Sequence, residues 1–202
     1  MGGKQLDMFM KPSGRTAIVT ASGFVLDLNS PDASGLPVED VARALAYQPR
    51  WCGATKKFYS VAEHSVMVSR LVPEESAYDA LWHDAIEFIQ GDWPSPLKVY
   101  LGKESVNRKL EPIERELARH FGFELHVPVV KEFDLVAMAT EVRDLLPPAW
   151  MDWGHLPEPA FPHIEPVGPE QAFDLFIQRY DEIKHLRRSA SERSKLRRDV
   201  RR

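Results

Sequence analysis

"SVAEHSVMVSRLVPEESAYDALWHDAIEFIQ", Ser60 to Gln90, decides the fold class. Ser60 has the chemistry of a helix N-cap, and Glu63 three residues on completes a capping box, so "VAEHSVMVSRLV" reads as a short amphipathic helix. The brief connection "VPEESAYD" leads into a second helix opening in "SAYDALWHDAIEFIQ", which Gly91 closes. A link this short favours antiparallel neighbours, so the helices carrying His64 and His83 are expected side by side.

Helical patterning continues outward from this pair. "LPVEDVARALAY" repeats Val38, Val41, Ala42 and Leu45 at helical spacing behind an acidic first turn. "ESVNRKLEPIERELARHFG" reads as a helix that tolerates Pro112 only near its start or with a kink, and "PVVKEFDLVAMATEVRDLL" as another. The proline density of "PPAWMDWGHLPEPAFPHIEPVGP" excludes helix; an ordered surface excursion is expected, with Trp150 and Trp153 pinning it to the body or serving a subunit interface. "PEQAFDLFIQRYDEIKHL" then restores the helical period. Near the start, "AIVTASGFVLDLNSPDASGLP" reads as a small β-hairpin. The expectation is an all-α chain with a small N-terminal hairpin.

At 202 residues the chain suits one domain, placed at 17–186 between a loosely ordered start (1–16) and a tail (187–202). Hydrophobic residues at 44% and charged ones at 28% exclude wholesale disorder and collagen-like or membrane classes. No run approaches the ~18 apolar residues of a membrane span, and "MGGKQLDMFM" lacks the apolar core of a secretory signal, so a cytoplasmic protein is expected. A single cysteine, Cys52, precludes an internal disulfide, a thiolate zinc cluster or a redox pair, so a metal would fall to histidine and carboxylate ligands. The net charge of −4 is uneven: Arg187 to Arg202 holds eight basic and two acidic residues, leaving the rest near −10. Such a tail reads as disordered, and the acidic body argues against sequence-specific nucleic-acid binding.

The ionisable residues of "HDAIEFIQGDWPSPLK", 83–98, are crowded beyond ordinary surface patterning. His83 and Asp84, about 100° apart on a helix, suit two corners of a metal's coordination shell. His64 is one candidate to complete it. Asp134, set among Phe133, Leu135 and Val136, is the other, since a buried carboxylate needs a partner. Taken alone, the His-Asp pair would be an ordinary surface pair; Glu87, at i+4 from His83, and Asp92 just beyond change that reading. Arg50, Trp51 and Lys98, read singly, suit solvated charge and core packing. His120, His126, His155, His163 and His185 lack ligand-like spacing and read as structural or surface, and Cys52 as a small packed hydrophobe.

Together, "AEHSV", "HDAIEFIQGDWPSPLK" and "FDLVAMATE" resemble the HD-domain metal-dependent phosphohydrolases, in particular the small 5′-deoxynucleotidases and phage deoxynucleoside triphosphate triphosphohydrolases. The resemblance runs from about Gly23 to Leu146 and implies an HD-domain helical bundle. It places metal ligands at His64, His83, Asp84 and Asp134, and catalytic carboxylates at Glu87 and Asp92. It also implies a phosphate-binding Arg50 and Lys98, a nucleoside pocket lined by Trp51 and Pro96, and a homo-oligomer, dimer or larger ring. A His₂Asp₂ donor set suits Mn²⁺, Co²⁺, Fe²⁺, Zn²⁺ or Mg²⁺, which would act as Lewis acid and activate water. Glu87 is favoured for orienting that water and Asp92 for protonating the leaving group.

Two substrates fit this resemblance. The leading expectation is a deoxynucleotide triphosphate resembling dATP, cleaved to deoxynucleoside and triphosphate; the alternative is a monophosphate. From another class comes a catalytically silent nucleotide-binding module, which predicts a missing ligand where none is missing. A di-iron oxygenase would need further histidines near 83–98, and a cyclic-dinucleotide phosphodiesterase further motifs. The chain departs from the pattern at Trp82, where an aliphatic residue is usual, and at "GATKKF", which replaces a Gly-His-Thr stretch.

Overall fold

The computed structural model describes residues 16–148, 154–160 and 162–187. The expectations for Trp150, Trp153, residues 1–15 and the tail beyond Arg187 lie outside the described residues. The rest is mostly helical with a small antiparallel hairpin, as expected. Thr16, assigned to the loose start, is tied to the hairpin by its hydroxyl on Asp27 at 3.0 Å.

Strand β1 (Ala17–Val19) pairs with β2 (Val25–Asp27), placing Ile18 opposite Leu26. Leu26 points into the core. Helix α1 (Val38–Tyr47) buries Val41, Ala42 and Leu45, three of the four positions its period selects. The hairpin is fastened to α1 by buried Asp40, which accepts from the backbone N–H of Ser22 at 3.0 Å, its hydroxyl at 2.6 Å and the Thr20 hydroxyl.

Helix α2 (Val61–Leu71) begins at the capping box read from sequence: the Glu63 N–H donates to Ser60 Oγ at 3.1 Å and the Ser60 N–H to Glu63 Oε2 at 3.0 Å. Helix α2 is the centre of the molecule. It packs against α1, most extensively against α3 (Ala77–Trp82), and against α7 (Pro128–Asp144) and α8 (Pro169–Ile183). Its neighbour α3 is the helix predicted beside it. Trp82, at the end of α3, is fully buried between Phe121, Phe123, Phe176 and Tyr180.

The helix expected to run on to Gln90 instead breaks after Trp82 and resumes as α4 (Glu87–Gln90). His83 Nδ1 donates to the Ala80 carbonyl at 2.7 Å, the acceptor that the Asp84 N–H would take in a continuing α-helix. Tighter bonds follow, from the Ala85 N–H to Trp82 O and the Glu87 N–H to Asp84 O, both 2.9 Å. His83 and Asp84 therefore sit on a turn, not on a helix face. Gly91, with φ of 80°, ends α4 as predicted.

Helix α5 (Ser95–Tyr100) leads into α6 (Lys103–Phe121), which runs through Pro112 at mid-length rather than confining it to the start. Pro112 and Arg108, whose carbonyl loses its helical donor, both face solvent, so water can replace the lost bond. The described part of the proline-rich excursion is ordered by polar ties. The Ala160 N–H donates to Thr140 Oγ1 at 2.9 Å, the Ile164 N–H to Asp144 Oδ2 at 2.9 Å and the Val167 N–H to Glu63 Oε1 at 2.9 Å. Glu63 thus caps α2 and anchors the excursion. No helix among the described residues is long and apolar enough to cross a membrane.

Candidate metal centre

Three elements converge on one point. Helix α2 brings His64, the turn after α3 brings His83 and Asp84, and α7 brings Asp134. His64 Nε2 lies 3.3 Å from His83 Nε2, 3.1 Å from Asp134 Oδ1 and 3.6 Å from Asp84 Oδ2. His83 Nε2 lies 3.2 Å from Asp84 Oδ2 and 3.9 Å from Asp134 Oδ1. Ligands ~2.1 Å from one ion, at tetrahedral or octahedral angles, stand roughly 3.0–3.4 Å apart. The donor atoms of His64, His83 and Asp134 lie within 4.8 Å of one another, and Asp84 reaches both imidazoles.

The second nitrogen of each ring is engaged. His83 Nδ1 donates to the Ala80 carbonyl, and His64 Nδ1 lies 2.6 Å from Glu141 Oε1. This aims both Nε2 atoms at the cluster, the outer arrangement of a histidine metal ligand. Burial and Arg50 press the His64 pKa down, but Glu141 and Asp134 more than reverse them and leave it raised. Burial likewise opposes a charge on His83, yet Asp84 and Asp134 hold its pKa well above the ordinary value. For Asp84 burial works upward, and His83 and His64 overcome it, leaving the pKa low. The carboxylates demand positive charge between the imidazoles, and the donor set fits a divalent cation.

Arg50 and Trp51 join through Glu141, whose role the sequence reading missed. Glu141 is fully buried; its Oε2 accepts from Arg50 Nε at 3.2 Å, Arg50 Nη2 at 3.1 Å and Trp51 Nε1 at 2.8 Å. Burial pushes the Glu141 pKa up, but Arg50 and His64 outweigh it and hold it low. Arg50 Nη1 also faces Asp84 Oδ2 at 3.6 Å. Trp51 thus meets the cluster through its indole N–H, in a turn whose Trp51 and Cys52 have φ of 57° and 51°. Asp92 Oδ2 holds that turn by accepting the Trp51 N–H at 2.9 Å. Cys52 is exposed, not packed.

Glu87 is buried, and its Oε2 finds no hydrogen-bond partner among the described residues. Burial, with Asp84 and Asp92 nearby, raises its carboxyl well above the usual range against the opposing charges of Arg50 and Lys98. Lys98 therefore lies within electrostatic reach of Glu87, whereas Pro96 stands exposed on α5. A cleft of about 190 Å³ opens beside His83, Asp84 and Asp134, bounded further by Glu114, His126 and Lys131. Neither Trp51 nor Pro96, the expected pocket walls, lines it, and neither do Arg50, Glu87, Asp92 and Lys98. Of the histidines set aside, His126 borders this cleft with φ of 58°, His120 Nε2 pairs with the Leu36 carbonyl at 3.0 Å, and His163 Nδ1 with Asp144 at 2.7 Å. His155 and His185 are exposed.

No family model matches the chain. It is 34% identical over 178 residues to the uncharacterized protein YfdR of Escherichia coli (strain K12), covering 86% of this chain and 98% of that protein. This chain belongs to the YfdR family. An uncharacterized protein of Rhodobacter capsulatus is 41% identical over 91 residues, spanning 41% of this chain and 46% of its own length. Within this YfdR-family chain, Glu141 had one available signal: it follows Asp134 by seven residues, two helical turns, and so shares its face of α7.

Proposed function

We propose that this chain is an HD-type metal-dependent phosphohydrolase acting on deoxynucleotides, most readily a deoxynucleoside triphosphate resembling dATP. The observation that carries this reading is the pair of Nε2 atoms 3.3 Å apart, both turned inward by their Nδ1 partners and flanked by Asp84 and Asp134. His64, His83, Asp84 and Asp134 would hold a divalent ion, which would supply Lewis acidity toward a phosphoryl oxygen and make water a stronger nucleophile at neutral pH.

The remaining chemistry belongs to side chains around it. Water adds to the α-phosphorus, the P–O5′ bond breaks, and its electron pair leaves with O5′, which must gain a proton. Glu87, with a raised carboxyl and a free buried oxygen, is equipped to hold that proton and deliver it to O5′. The proton lost by water passes to Asp92. This reverses the division of labour favoured from sequence, because Glu87 is the more strongly desolvated of the two. Glu141 holds Arg50 beside Asp84, where its guanidinium would meet a phosphate at the ligand set, and Lys98 would offer a mobile charge to more distal phosphates. Arg50 is already committed to Glu141 and Asp84, which favours the second reading, a 5′-deoxynucleotidase handling one phosphate.

The test is incubation with each deoxynucleoside triphosphate, ribonucleotides and monophosphates, with Mn²⁺, Co²⁺ or Mg²⁺ or with chelator, and chromatography of the products. Deoxynucleoside with intact triphosphate selects the first reading; deoxynucleoside with phosphate from monophosphates alone selects the second. Activity that survives both chelator and Asp84→Ala would sink the metal-dependent reading.

A further inference from the structure

Glu141 lies at the junction between the ligand set and the Arg50–Trp51 turn, and its two oxygens are divided between them. Oε1 faces His64 Nδ1 at 2.6 Å, while Oε2 receives three donors from Arg50 and Trp51. Both carboxylates facing His64 can only accept, but Glu141 Oε1 is 2.6 Å from Nδ1 whereas Asp134 Oδ1 is 3.1 Å from Nε2, so the closer contact favours the single proton of the neutral ring on Nδ1 and leaves Nε2 for an ion shared with Asp134 and His83. We propose that Glu141 is a positioning residue that sets the tautomer of His64 for metal ligation and, with its other oxygen, seats the Arg50–Trp51 turn beside that ligand. The affinity part of this proposal rests on the metal reading above; the tautomer part does not.

The isosteric variant Glu141→Gln separates this role from packing. A glutamine offers one acceptor oxygen and one NH₂ group. Three donors, Arg50 Nε, Arg50 Nη2 and Trp51 Nε1, converge on the Oε2 position, so the amide oxygen belongs there. The NH₂ then faces His64 Nδ1, which must become the acceptor. The ring proton moves to Nε2, where it occupies the direction an ion would use. A residue that merely filled space would leave the tautomer unchanged.

The experiment combines imidazole ¹H–¹⁵N spectra of metal-free protein at alkaline pH with Mn²⁺ titration calorimetry, for wild type and Glu141→Gln. The expected result is an Nδ1–H His64 in the wild type, an Nε2–H His64 in the variant, and Mn²⁺ affinity lower by about 10–100-fold. An Nε2–H His64 in the wild type overturns the proposal without recourse to any variant, which covers the case in which Glu141→Gln fails to fold. Unchanged tautomer or unchanged Mn²⁺ affinity in a folded variant overturns it as well. Wild-type protein that binds neither Mn²⁺ nor any other divalent ion overturns the metal reading and the affinity part with it; the spectra still decide the tautomer part, since they need no ion.

Discussion

Trp82→Ala tests how the core holds the candidate metal centre. The indole is fully buried, stacked on Phe121 at a centroid distance of 4.1 Å and on Phe123 at 5.9 Å, with edge contacts to Phe176 at 5.7 Å and Tyr180 at 6.0 Å. An aromatic side chain of this kind buries ~150–250 Å², which at ~25 cal/mol per Å² gives about 4–6 kcal/mol. Observed truncations of buried Phe and Trp cost about 3–5 kcal/mol, so a loss of ~4 kcal/mol is expected. For a domain of this size each kcal/mol lowers Tm by roughly 2–4 °C, making the shift about 8–16 °C. Trp82 also immediately precedes His83, so divalent-ion affinity should fall further than in Leu45→Ala, whose side chain is buried in α1. Urea unfolding followed by circular dichroism gives the first quantity and calorimetry the second. A stability loss below ~1.5 kcal/mol, or ion affinity no weaker than in Leu45→Ala, would refute the view that this aromatic cluster fastens the turn.

Three other outcomes follow from individual contacts. Ser60→Ala should cost ~2 kcal/mol in urea unfolding, the upper end for a cap, because burial leaves the Glu63 N–H without replacement by water; a loss under ~0.5 kcal/mol would contradict this. The hydrogen bonds from Arg143 hold the Asp144 carboxyl well below the usual range against its burial, so its stabilisation exists above the unfolded pKa of ~3.9 and is lost as pH falls toward the folded value. Asp144→Asn should therefore be less stable than wild type by ~1–3 kcal/mol at pH 7, with the gap closing progressively below about pH 5; a gap independent of pH is the contrary result. A divalent ion at ~100 times its Kd should add about 2.7 kcal/mol and raise Tm by roughly 5–11 °C, reversibly with chelator and not in Asp134→Ala. No shift with any of the five candidate metals would count against the site.

Local features were the ones legible in sequence. The capping box at Ser60, the apolar stripe of α1 and the stop at Gly91 each depend on residues a few positions apart, and all three stand in the structure. The break after Trp82 was not legible, because periodicity does not register a side chain competing for a backbone carbonyl, as His83 does for that of Ala80. Whether Pro112 lies near the start of its helix or further in was not legible for a related reason: its cost depends on which way its turn of α6 faces, a tertiary property. His64, His83, Asp84 and Asp134, the ligand set that the HD-domain resemblance implies, lie together in the structure. Glu141 escaped notice because its partners, Arg50, Trp51 and His64, are between 77 and 91 residues away in sequence.

Charge balance supports the proposed dication over protons at this cluster. Asp84, Asp134 and Glu141 are held ionised, and the half-buried Arg50 opposes them, so the formal balance is about −2 with neutral histidines. Lys131 bonds Asp134 Oδ2 at 2.7 Å, but its side chain is 71% exposed and its charge is screened. Charge of this size around buried His64 and Glu141, with Asp84 and Asp134 only partly exposed, needs compensation. Protonating both imidazoles would do so, and the raised pKa values of His64 and His83 express that pull. Two imidazolium rings with centroids 5.2 Å apart and Nε2 atoms 3.3 Å apart, however, repel by on the order of 3–5 kcal/mol at an effective dielectric of ~20. One divalent ion held by the same nitrogens would supply the same charge and use both lone pairs as ligands.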